Sequence, residues 1–420
     1  MSKGSTTTIN HSIMAIQPET MVAAAQQPVA EKQPTTPVLP AELSMNLPIV
    51  DLDVFLQRPR DAPEVVAECQ KAANALITYG ALVLHDSRVS EADNTTFLDL
   101  LEDYFAQPAE DLRRDERPEL GYQIGVTLEN TEKPKCAVDE PCLQVIERLD
   151  PAERPLDIGA HEPDPKCRFF WRMMDAPPYE TQFPFPQCRE HHARCAAYQG
   201  PVGADHGPVG NLDEERGAKA NELTGICSVT SLAGMAAVGL GLPAEAFMDA
   251  TKYGPHLLAP TASDLSKYGK KDSILAGFHT DLNFLTIHGR SRYPGLHIWA
   301  RNTGKRIPVK IPEGNYLLVQ AGKQIEHLTG GLIKAGYHEV GVTQATLNVI
   351  ERRKREFPDR PLVRISSTFF CHLSSDYDLA PNPVLADRAR RIRAEQFNLG
   401  KDEGEEVAYH DMKVGQQVQE

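Results

Sequence analysis

Residues 277–289 read GFHTDLNFLTIHG and set His279 and Asp281 in a segment otherwise rich in Phe, Leu and Ile. If the segment is a β-strand, side chains at i and i+2 point to the same face. A neutral imidazole and a carboxylate on one face are two of the three ligands of a facial triad, which binds non-haem Fe(II) and leaves positions open. A buried, hydrogen-bonded His–Asp pair is the alternative, and the H-x-D pattern alone does not exclude it.

A third ligand has to come from further along the chain. The downstream candidates are His288, His297, His327, His338 and His372. His288 and His297 are too close in sequence to return readily from a neighbouring strand. His327 precedes a polar loop, whereas His338 begins an alternating strand, where an inward side chain is expected. We therefore predict His338 rather than His327 as the third ligand.

Arg364 and Ser366, in the stretch LVRISSTFF (362–370), also stand at i and i+2 of a predicted strand. Arginine presents a rigid fork to a carboxylate, and a serine hydroxyl can add a further contact. A surface ion pair is the alternative interpretation. Arg364 is embedded among apolar residues, however, and an inward arginine needs an anionic partner because an unpaired buried charge is costly.

Composition limits the class of protein. Of 420 residues, 41% are hydrophobic and 24% are charged, as in ordinary globular proteins. The formal net charge of −14 argues against binding to nucleic acid or anionic membranes. No run approaches the roughly 18 apolar residues of a membrane span, and the N-terminus lacks the apolar core of a secretory signal. We therefore expect a soluble, cytoplasmic protein, a monomer, with no nucleic-acid or membrane partner.

The eight cysteines are irregularly spaced and form no C-x-x-C pair. In the absence of a recognisable signal peptide, we expect reduced thiols rather than a disulfide framework. Their spacing gives no support to a zinc site.

The first half of the chain is mixed in character. Residues 1–46 contain no aromatic residue and are rich in Thr, Ala, Gln and Pro, which predicts disorder. Residues 47–108 predict strand, helix, strand, helix, with Gly80 ending the first helix and Ser90 capping the second. The region from 109 to 215 is rich in Pro, Gly and charge and allows no assignment.

The second half predicts a β-rich core. Residues 221–254 indicate two helices separated by a glycine-rich stop, and from residue 273 short β-rich runs alternate with turns. Several short strands at close spacing favour a barrel or jelly roll. The predicted fold class is mainly β with flanking helices (α+β). The predicted regions are 1–46, 47–215, 216–385 with the core, and a helical or flexible tail at 386–420.

Three motifs in order resemble the isopenicillin N synthase-like group of Fe(II)/2-oxoglutarate-dependent dioxygenases. They are H-T-D, then G-x-x-x-x-x-x-T-x-G-x-x-K-A-x-x-H-x-V, then R-x-S-x-x-F-F. The matching residues are His279, Asp281, Gly322, Thr329, Gly331, Lys334, Ala335, His338, Val340, Arg364, Ser366, Phe369 and Phe370. The stretches LPIVDLDVF and YGALVLHDSRV resemble the N-terminal region of the group. The resemblance covers about residues 47–385, with gaps in the middle.

This resemblance implies a double-stranded β-helix (jelly-roll) core with Fe(II) bound by His279, Asp281 and His338. It implies that Arg364 and Ser366 bind the distal carboxylate of 2-oxoglutarate. With O2, such an enzyme hydroxylates, desaturates or cyclises a small molecule and releases succinate and CO2. A place in secondary metabolism is expected, as for many members of the group.

The chain also departs from the group's pattern. The interval between His338 and Arg364 is extended by residues 344–361, HDSRV replaces the usual NHG, and the Asn-x-Tyr strand has no clean equivalent at 167–178. The substrate contacts that we expect around the mouth of the site are Tyr122, Phe170, Trp171 and Phe370. Each of these aromatic residues could equally be a core residue.

Two other functions are compatible with the sequence. One is an Fe(II) oxidase of the same fold that does not use 2-oxoglutarate, in which the R-x-S pair holds the carboxylate of the substrate. The other is a jelly-roll protein that binds a ligand without catalysis, whose sign would be the loss of a metal ligand. Succinate formed in step with product distinguishes the first alternative.

Overall fold

The computed structural model of this chain describes residues 47–133, 136, 138–156, 162–173, 177–183, 228–398 and 408–419. The predicted disordered segment 1–46 and much of the unassigned middle region lie outside these residues. The described residues belong to one unit, Ser44–Glu420.

Short strands make up most of the regular structure between residues 257 and 341. The strands are β1 (Ile49–Asp51), β2 (Ala81–His85), β3 (Gly125–Thr127), β4 (Cys167–Arg172), β5 (Leu257–Leu258), β6 (Thr261–Asp264), β7 (Ile274–His279), β8 (Leu285–His288), β9 (Leu296–Trp299), β10 (Arg306–Pro308), β11 (Tyr316–Ala321), β12 (Tyr337–Gly341), β13 (Val363–Ser366), β14 (Thr368–Cys371), β15 (Asp378–Leu379) and β16 (Met412–Lys413).

Helices precede the strand-rich core and follow it. They are α1 (Leu52–Gln57), α2 (Pro63–Tyr79), α3 (Glu91–Phe105), α4 (Ala109–Leu112), α5 (Glu140–Arg148), α6 (228–239), α7 (Glu245–Thr251), α8 (Leu265–Tyr268), α9 (Lys323–Leu328), α10 (Gln344–Glu356), α11 (Pro383–Asn398) and α12 (Val414–Gln419). Within the described residues, none of these helices combines the length and apolarity needed to cross a bilayer.

Two sheets form the core. The larger has the order β1-β2-β11-β8-β14-β5-β4-β6-β13, with β3 beside β4, and the smaller has the order β10-β9-β12-β7. Leu318 of β11 and Ile298 of β9 lie in one buried cluster, so the two sheets pack face to face. Val319, next to Leu318, points to the other side and packs in the cluster that contains α2 and α6. This arrangement of a jelly roll with flanking helices confirms the predicted fold class.

The N-terminal helices form where their sequence patterns predict them. Gly80 ends α2 in a left-handed conformation with φ of 69°, and the Ser90 side chain accepts a hydrogen bond from the Asp93 amide at the start of α3. Helix α6 packs closely on α2 because Gly239 has no side chain. A Cβ there would lie 2.0 Å from the Cys69 carbonyl oxygen.

The segment 277–289 is not one continuous strand, and this part of the prediction is wrong. Strand β7 ends at His279, and β8 begins at Leu285 in the other sheet. The chain therefore turns between the two sheets at residues 280–284, which belong to neither strand. Asn283 stabilises the turn by donating from Nδ2 to the carbonyls of Leu285 (2.7 Å) and Cys371 (3.2 Å).

The inserted segment after β12 folds as helix α10 and is held against α3 by buried charge. Glu102 of α3 is 1% exposed and accepts Arg292 at 2.8 Å, Arg360 at 3.2 Å and Arg353 of α10 at 3.3 Å. A buried carboxylate needs such partners to offset the loss of water. The ion pairs thus connect the insertion to the N-terminal helices.

The expectation that all cysteines are reduced is wrong for one pair. Cys136 and Cys142 form a disulfide, with their Cα atoms 5.2 Å apart, which is within the usual range. Sequence spacing could not show this contact because it depends on the start of α5 folding back on the preceding segment. Cys69, Cys167 and Cys371 are free thiols, and Cys188, Cys195 and Cys227 lie outside the described residues.

We expect Glu102→Gln to lower the free energy of unfolding by about 3–5 kcal/mol, because it leaves three arginines without their shared buried partner. Glu351→Gln is the matched control, since Glu351 is exposed and pairs with Lys354 on the same helix, and it should leave stability unchanged. Urea denaturation followed by circular dichroism measures both. Equal stability of the two variants would contradict the anchoring role of Glu102.

Candidate active site

Three side chains predicted as ligands converge on one point. The donor atoms of His279, Asp281 and His338 all lie within 4.8 Å of one another. Nε2 of each histidine is 3.8 Å from Oδ1 of Asp281, and the two ring centroids are 4.1 Å apart. Two imidazoles and one carboxylate grouped in this way could hold Fe(II) and leave coordination positions open.

Strand pairing brings the two histidines together. Strands β7 and β12 are antiparallel, and His338 lies directly opposite His279 in their register. Side chains of such a pair share one face of the sheet. Asp281 joins them from the turn after β7. The turn is anchored by a hydrogen bond of 2.8 Å that the Lys323 amide donates to the Asp281 carbonyl. The carboxylate is oriented by Thr286, whose hydroxyl donates to Oδ2 at 2.6 Å.

Backbone carbonyls set the tautomers of both histidines. Nδ1 of His279 donates to the Gly277 carbonyl at 2.6 Å, and Nδ1 of His338 contacts the Gly336 carbonyl at 3.4 Å. A carbonyl oxygen can only accept, so the proton lies on Nδ1. Nε2 of each ring then carries a free lone pair that faces Asp281, as metal coordination requires.

Electrostatics favour the protonation states of metal ligands. Burial lowers the pKa of His279 well below its usual range, and the neighbouring His338 lowers it further. Burial raises the pKa of Asp281. This effect is outweighed by the neighbouring His338, His279 and His288 and by the hydrogen bond from Thr286, so the pKa of this carboxyl lies below its ordinary value. At neutral pH the imidazole of His279 is therefore neutral and the carboxylate is ionised.

Arg364 on β13 is a buried cation with no acidic partner among the described residues. It is 5% exposed, and burial lowers its pKa to about 10, so it remains charged at neutral pH. Nη1 donates to Ser366 Oγ at 2.9 Å, while Nε is buried without a hydrogen-bond partner in the part of the chain that the structure describes. A buried charge in this state is costly unless an anion binds to it. The pair therefore fits a carboxylate ligand such as that of 2-oxoglutarate.

Three of the four predicted substrate contacts are connected to one another. The rings of Phe170 on β4 and Phe370 on β14 meet edge to face, with centroids 5.9 Å apart. Arg168 lies over the Phe170 ring at 3.9 Å and donates to the Tyr122 carbonyl at 3.3 Å. Phe170 and Phe370 lie on the strand faces that carry Arg168 and Thr286.

Trp171 has a different environment from the other predicted contacts. It follows Phe170 on β4, so its side chain points to the opposite face of the sheet. There it packs partly buried against two core clusters, and its Nε1 is buried with no hydrogen-bond partner among the described residues. We therefore keep Phe170, Phe370 and Tyr122 as candidate substrate contacts and place Trp171 in the core.

The other histidines considered as ligands lie outside the three-residue cluster. Nε2 of His327 donates to the His410 carbonyl at 2.7 Å, and Nδ1 of His297 contacts the Gly295 carbonyl at 3.1 Å. His372 is buried after β14, with Nδ1 at 3.4 Å from the Gln324 amide nitrogen. His288 comes closer, with its ring centroid 6.0 Å from that of His338.

A second group of possible ligand atoms lies on the half-exposed residues Asp51, Asp53 and His85. Its carboxylates already have structural roles. Oδ1 of Asp51 accepts the Asp53 amide at 3.1 Å as the cap of α1 and contacts His85 Nδ1 at 3.0 Å. Oδ1 of Asp53 accepts the Ser87 hydroxyl at 3.1 Å. These contacts explain the group without a metal ion.

Sequence reasoning did not identify Thr286 and Asn283 as parts of the site. Both are polar residues within the apolar stretch 277–289, which is the only signal that could have found them. Their roles depend on the turn between the sheets: Asn283 fixes the turn, and Thr286 donates to the carboxylate that the turn presents.

Comparison with known proteins supports this interpretation of the fold. Residues 245–373 match the family model of the 2OG-Fe(II) oxygenase superfamily. A protein of the 2OG-Fe(II) oxygenase family from Caulobacter crescentus is similar in structure, with a TM-score of 0.57 and 18% identity over 89% of this chain and 97% of that chain. The double-stranded β-helix fold is thereby confirmed.

Two further solved structures share the fold. Neurospora crassa T7H in complex with alpha-KG and thymine has a TM-score of 0.56 and 18% identity, covering 89% of this chain and 95% of that chain. The rice dioxygenase for auxin oxidation has a TM-score of 0.54 and 16% identity, covering 87% of this chain and 100% of that chain. Identities this low indicate a common fold and no more.

A curated relative matches only locally. The peptide transporter imqJ of Aspergillus flavus is 29% identical over 134 residues, which are 31% of this chain and 25% of that protein. The chain thus spans about a quarter of the length of this relative.

We expect His338→Ala to weaken Fe(II) binding by more than about 100-fold, since even loss of a residue that supports a ligand costs about 10- to 100-fold. His327→Ala should retain the metal, because His327 bonds to the His410 carbonyl outside the cluster. Anaerobic titration calorimetry with Mn(II) or Fe(II) measures both affinities. Loss of metal in the His327 variant alone would show that the wrong histidine had been assigned.

Proposed function

We propose that this chain, which belongs to the 2OG-Fe(II) oxygenase superfamily through residues 245–373, hydroxylates, desaturates or cyclises a small-molecule substrate. The chain is a 2-oxoglutarate-dependent non-haem iron dioxygenase, with Fe(II), 2-oxoglutarate and O2 as its cofactors and co-substrates. We further propose that it belongs to the isopenicillin N synthase-like group, because the three motifs occur in the order found in that group. Succinate and CO2 are the expected co-products.

The metal would be held by His279, Asp281 and His338. Bound Fe(II) supplies the site at which O2 is activated for oxidation of the substrate. The residues of the chain prepare that site: the Gly277 carbonyl keeps the His279 proton on Nδ1, and the Thr286 hydroxyl leaves Asp281 Oδ1 directed at the histidines. Such supporting hydrogen bonds fix ligand orientation before the metal arrives.

The observation that carries the proposal is the unbalanced charge of Arg364. This guanidinium is buried, is charged at neutral pH and donates a hydrogen bond to Ser366, with no acid paired to it among the described residues. Arginine and serine together match the geometry of one carboxylate. A dicarboxylic keto acid would reach this pair with its distal carboxylate and the metal with its other end.

The aromatic residues that we expect at the mouth of the site favour a small organic molecule as the substrate. The rings of Phe170 and Phe370 meet edge to face, and Arg168 lies over the Phe170 ring. Aromatic rings favour flat or apolar groups, and a nearby guanidinium favours an electron-rich one. Thymine and auxin are small molecules named with two structural relatives. A monomeric state, a cytoplasmic location and a place in secondary metabolism stay predictions.

The proposal is tested by anaerobic titration of the Fe(II)-loaded protein with 2-oxoglutarate. Chelation of the metal by the keto acid should produce a weak visible charge-transfer band that saturates at one equivalent. A protein that binds iron but gives no band would contradict the proposal. Under O2 and with substrate, succinate should form in step with product, whereas an Fe(II) oxidase that uses Arg364 for its substrate carboxylate would form none.

Arg364→Ala should weaken 2-oxoglutarate binding by about 100-fold or more, because a buried charged hydrogen-bond partner is removed. Metal affinity should stay near that of the unmodified protein. Arg58→Ala is the control, since Arg58 is an exposed arginine that pairs with Glu64. Calorimetry with 2-oxoglutarate on the Mn(II)-loaded protein separates the two effects, and unchanged affinity in Arg364→Ala would assign the co-substrate to another residue.

A further inference from the structure

Polar side chains on the inner face of the larger sheet are not accounted for by the metal ligands. Strand β8 carries Thr286 and His288 on one face, and its neighbour β11 places Gln320 directly opposite Thr286. On the other side, β14 places Thr368 opposite His288. Leu318, which pairs with His288, packs in the cluster between the two sheets, so this face is the interior of the jelly roll.

His288 is a buried neutral imidazole with an unused nitrogen. Burial lowers its pKa to about 4, with His338 contributing in the same direction and the adjacent Gln320 amide opposing it. Nε2 is buried and has no hydrogen-bond partner among the described residues. The same is true of both side-chain amide atoms of Gln320, which is fully buried. The Gln320 amide is close enough to His288 to raise its pKa by hydrogen bonding, yet Nε2 of His288 and both amide atoms of Gln320 make no well-formed hydrogen bond within the described part of the chain.

Unsatisfied buried groups of this kind are rare because a buried donor or acceptor that has lost water without gaining a partner destabilises the folded protein. Three such atoms on one interior face indicate a polar occupant of the space in front of them. A fourth metal ligand is a poor explanation, because His288 is not among the residues whose donor atoms lie within 4.8 Å of one another.

The position of His288 points to a particular occupant. Its ring centroid is 6.0 Å from that of His338 at the metal site. On the other side, its strand partner Thr368 is two residues from Ser366, and the charge of Arg364 acts on its imidazole. His288 therefore lies between the metal ligands and the arginine–serine pair, along the space that a molecule joining those two points has to occupy.

We propose that His288 is a co-substrate-binding residue whose Nε2 donates a hydrogen bond to a carboxylate oxygen of 2-oxoglutarate, with the Gln320 amide as a second polar contact. The proposal rests on the proposed function, since it takes 2-oxoglutarate as the molecule between Arg364 and the metal. A neutral imidazole is suited to this role because it can donate without adding charge beside the metal. His288 and Gln320 thus supply polar contacts along the co-substrate in a chain that has no clean equivalent of the Asn-x-Tyr strand.

The test compares three variants by anaerobic calorimetry with 2-oxoglutarate on the Mn(II)-loaded protein. His288→Leu should raise the dissociation constant by about 10- to 100-fold, the effect of losing one hydrogen bond to a charged group. His288→Gln, which keeps a donor, should recover part of that loss. His297→Leu is the matched control, because His297 is also buried and neutral, with its pKa lowered to about 4, but contacts the Gly295 carbonyl outside the site.

The outcomes separate this inference from the proposed function. If the unmodified protein binds metal but not 2-oxoglutarate, the proposed function and this inference both fail. If it binds 2-oxoglutarate and His288→Leu binds it within threefold as tightly, only the role of His288 fails, and an ordered water is the occupant. Equal losses in His288→Leu and His297→Leu, or loss of Mn(II) in His288→Leu, would also overturn the inference. If His288→Leu does not fold, His288→Gln and a further variant, Gln320→Leu, are measured instead. The inference is supported if His288→Gln binds 2-oxoglutarate within a few-fold of the unmodified protein and Gln320→Leu binds it about tenfold or more weakly. Unchanged 2-oxoglutarate affinity in Gln320→Leu overturns the inference.

Discussion

The pairing of β7 with β12 is the constraint on which the rest of the site depends. Because the strands are antiparallel with His338 opposite His279, their rings are brought to 4.1 Å between centroids. The chain then leaves β7 and crosses to the other sheet, and the turn carries Asp281 to the same point. A shift of one residue in this register would move one histidine to the outer face and disassemble the group.

The interior of the jelly roll is polar where an ordinary core would be apolar. His279, Asp281, His288, Gln320 and Arg364 all lie on or beside it, and burial shifts the pKa of its ionisable members. Some of these groups have internal partners, such as Asp281 with Thr286. Arg364 and Gln320 keep buried atoms that have no hydrogen-bond partner within the described residues. Folding therefore leaves a set of polar groups that a metal and a dicarboxylate would satisfy.

Local signals predicted local structure well. The helical spacing of 63–79 with Gly80, and the Ser90 cap before 91–105, gave helices with those ends. Such signals depend on residues close in sequence, so no knowledge of the fold is needed. The contacts of Glu102 with three distant arginines and the Cys136–Cys142 disulfide left no comparable trace, because each depends on segments that meet only after folding.

The amino-acid sequence by itself determined the class of fold, the identity of the candidate metal ligands and the arginine–serine pair, because these follow from residue type and from spacing within short motifs. Only the tertiary structure decided that 277–289 breaks into two strands of different sheets, and that Thr286 orients Asp281. It also decided that Trp171 faces the core and that His288 faces the interior. The physical reason is that strand direction and sheet pairing, rather than sequence distance, set which side chains share an enclosed space.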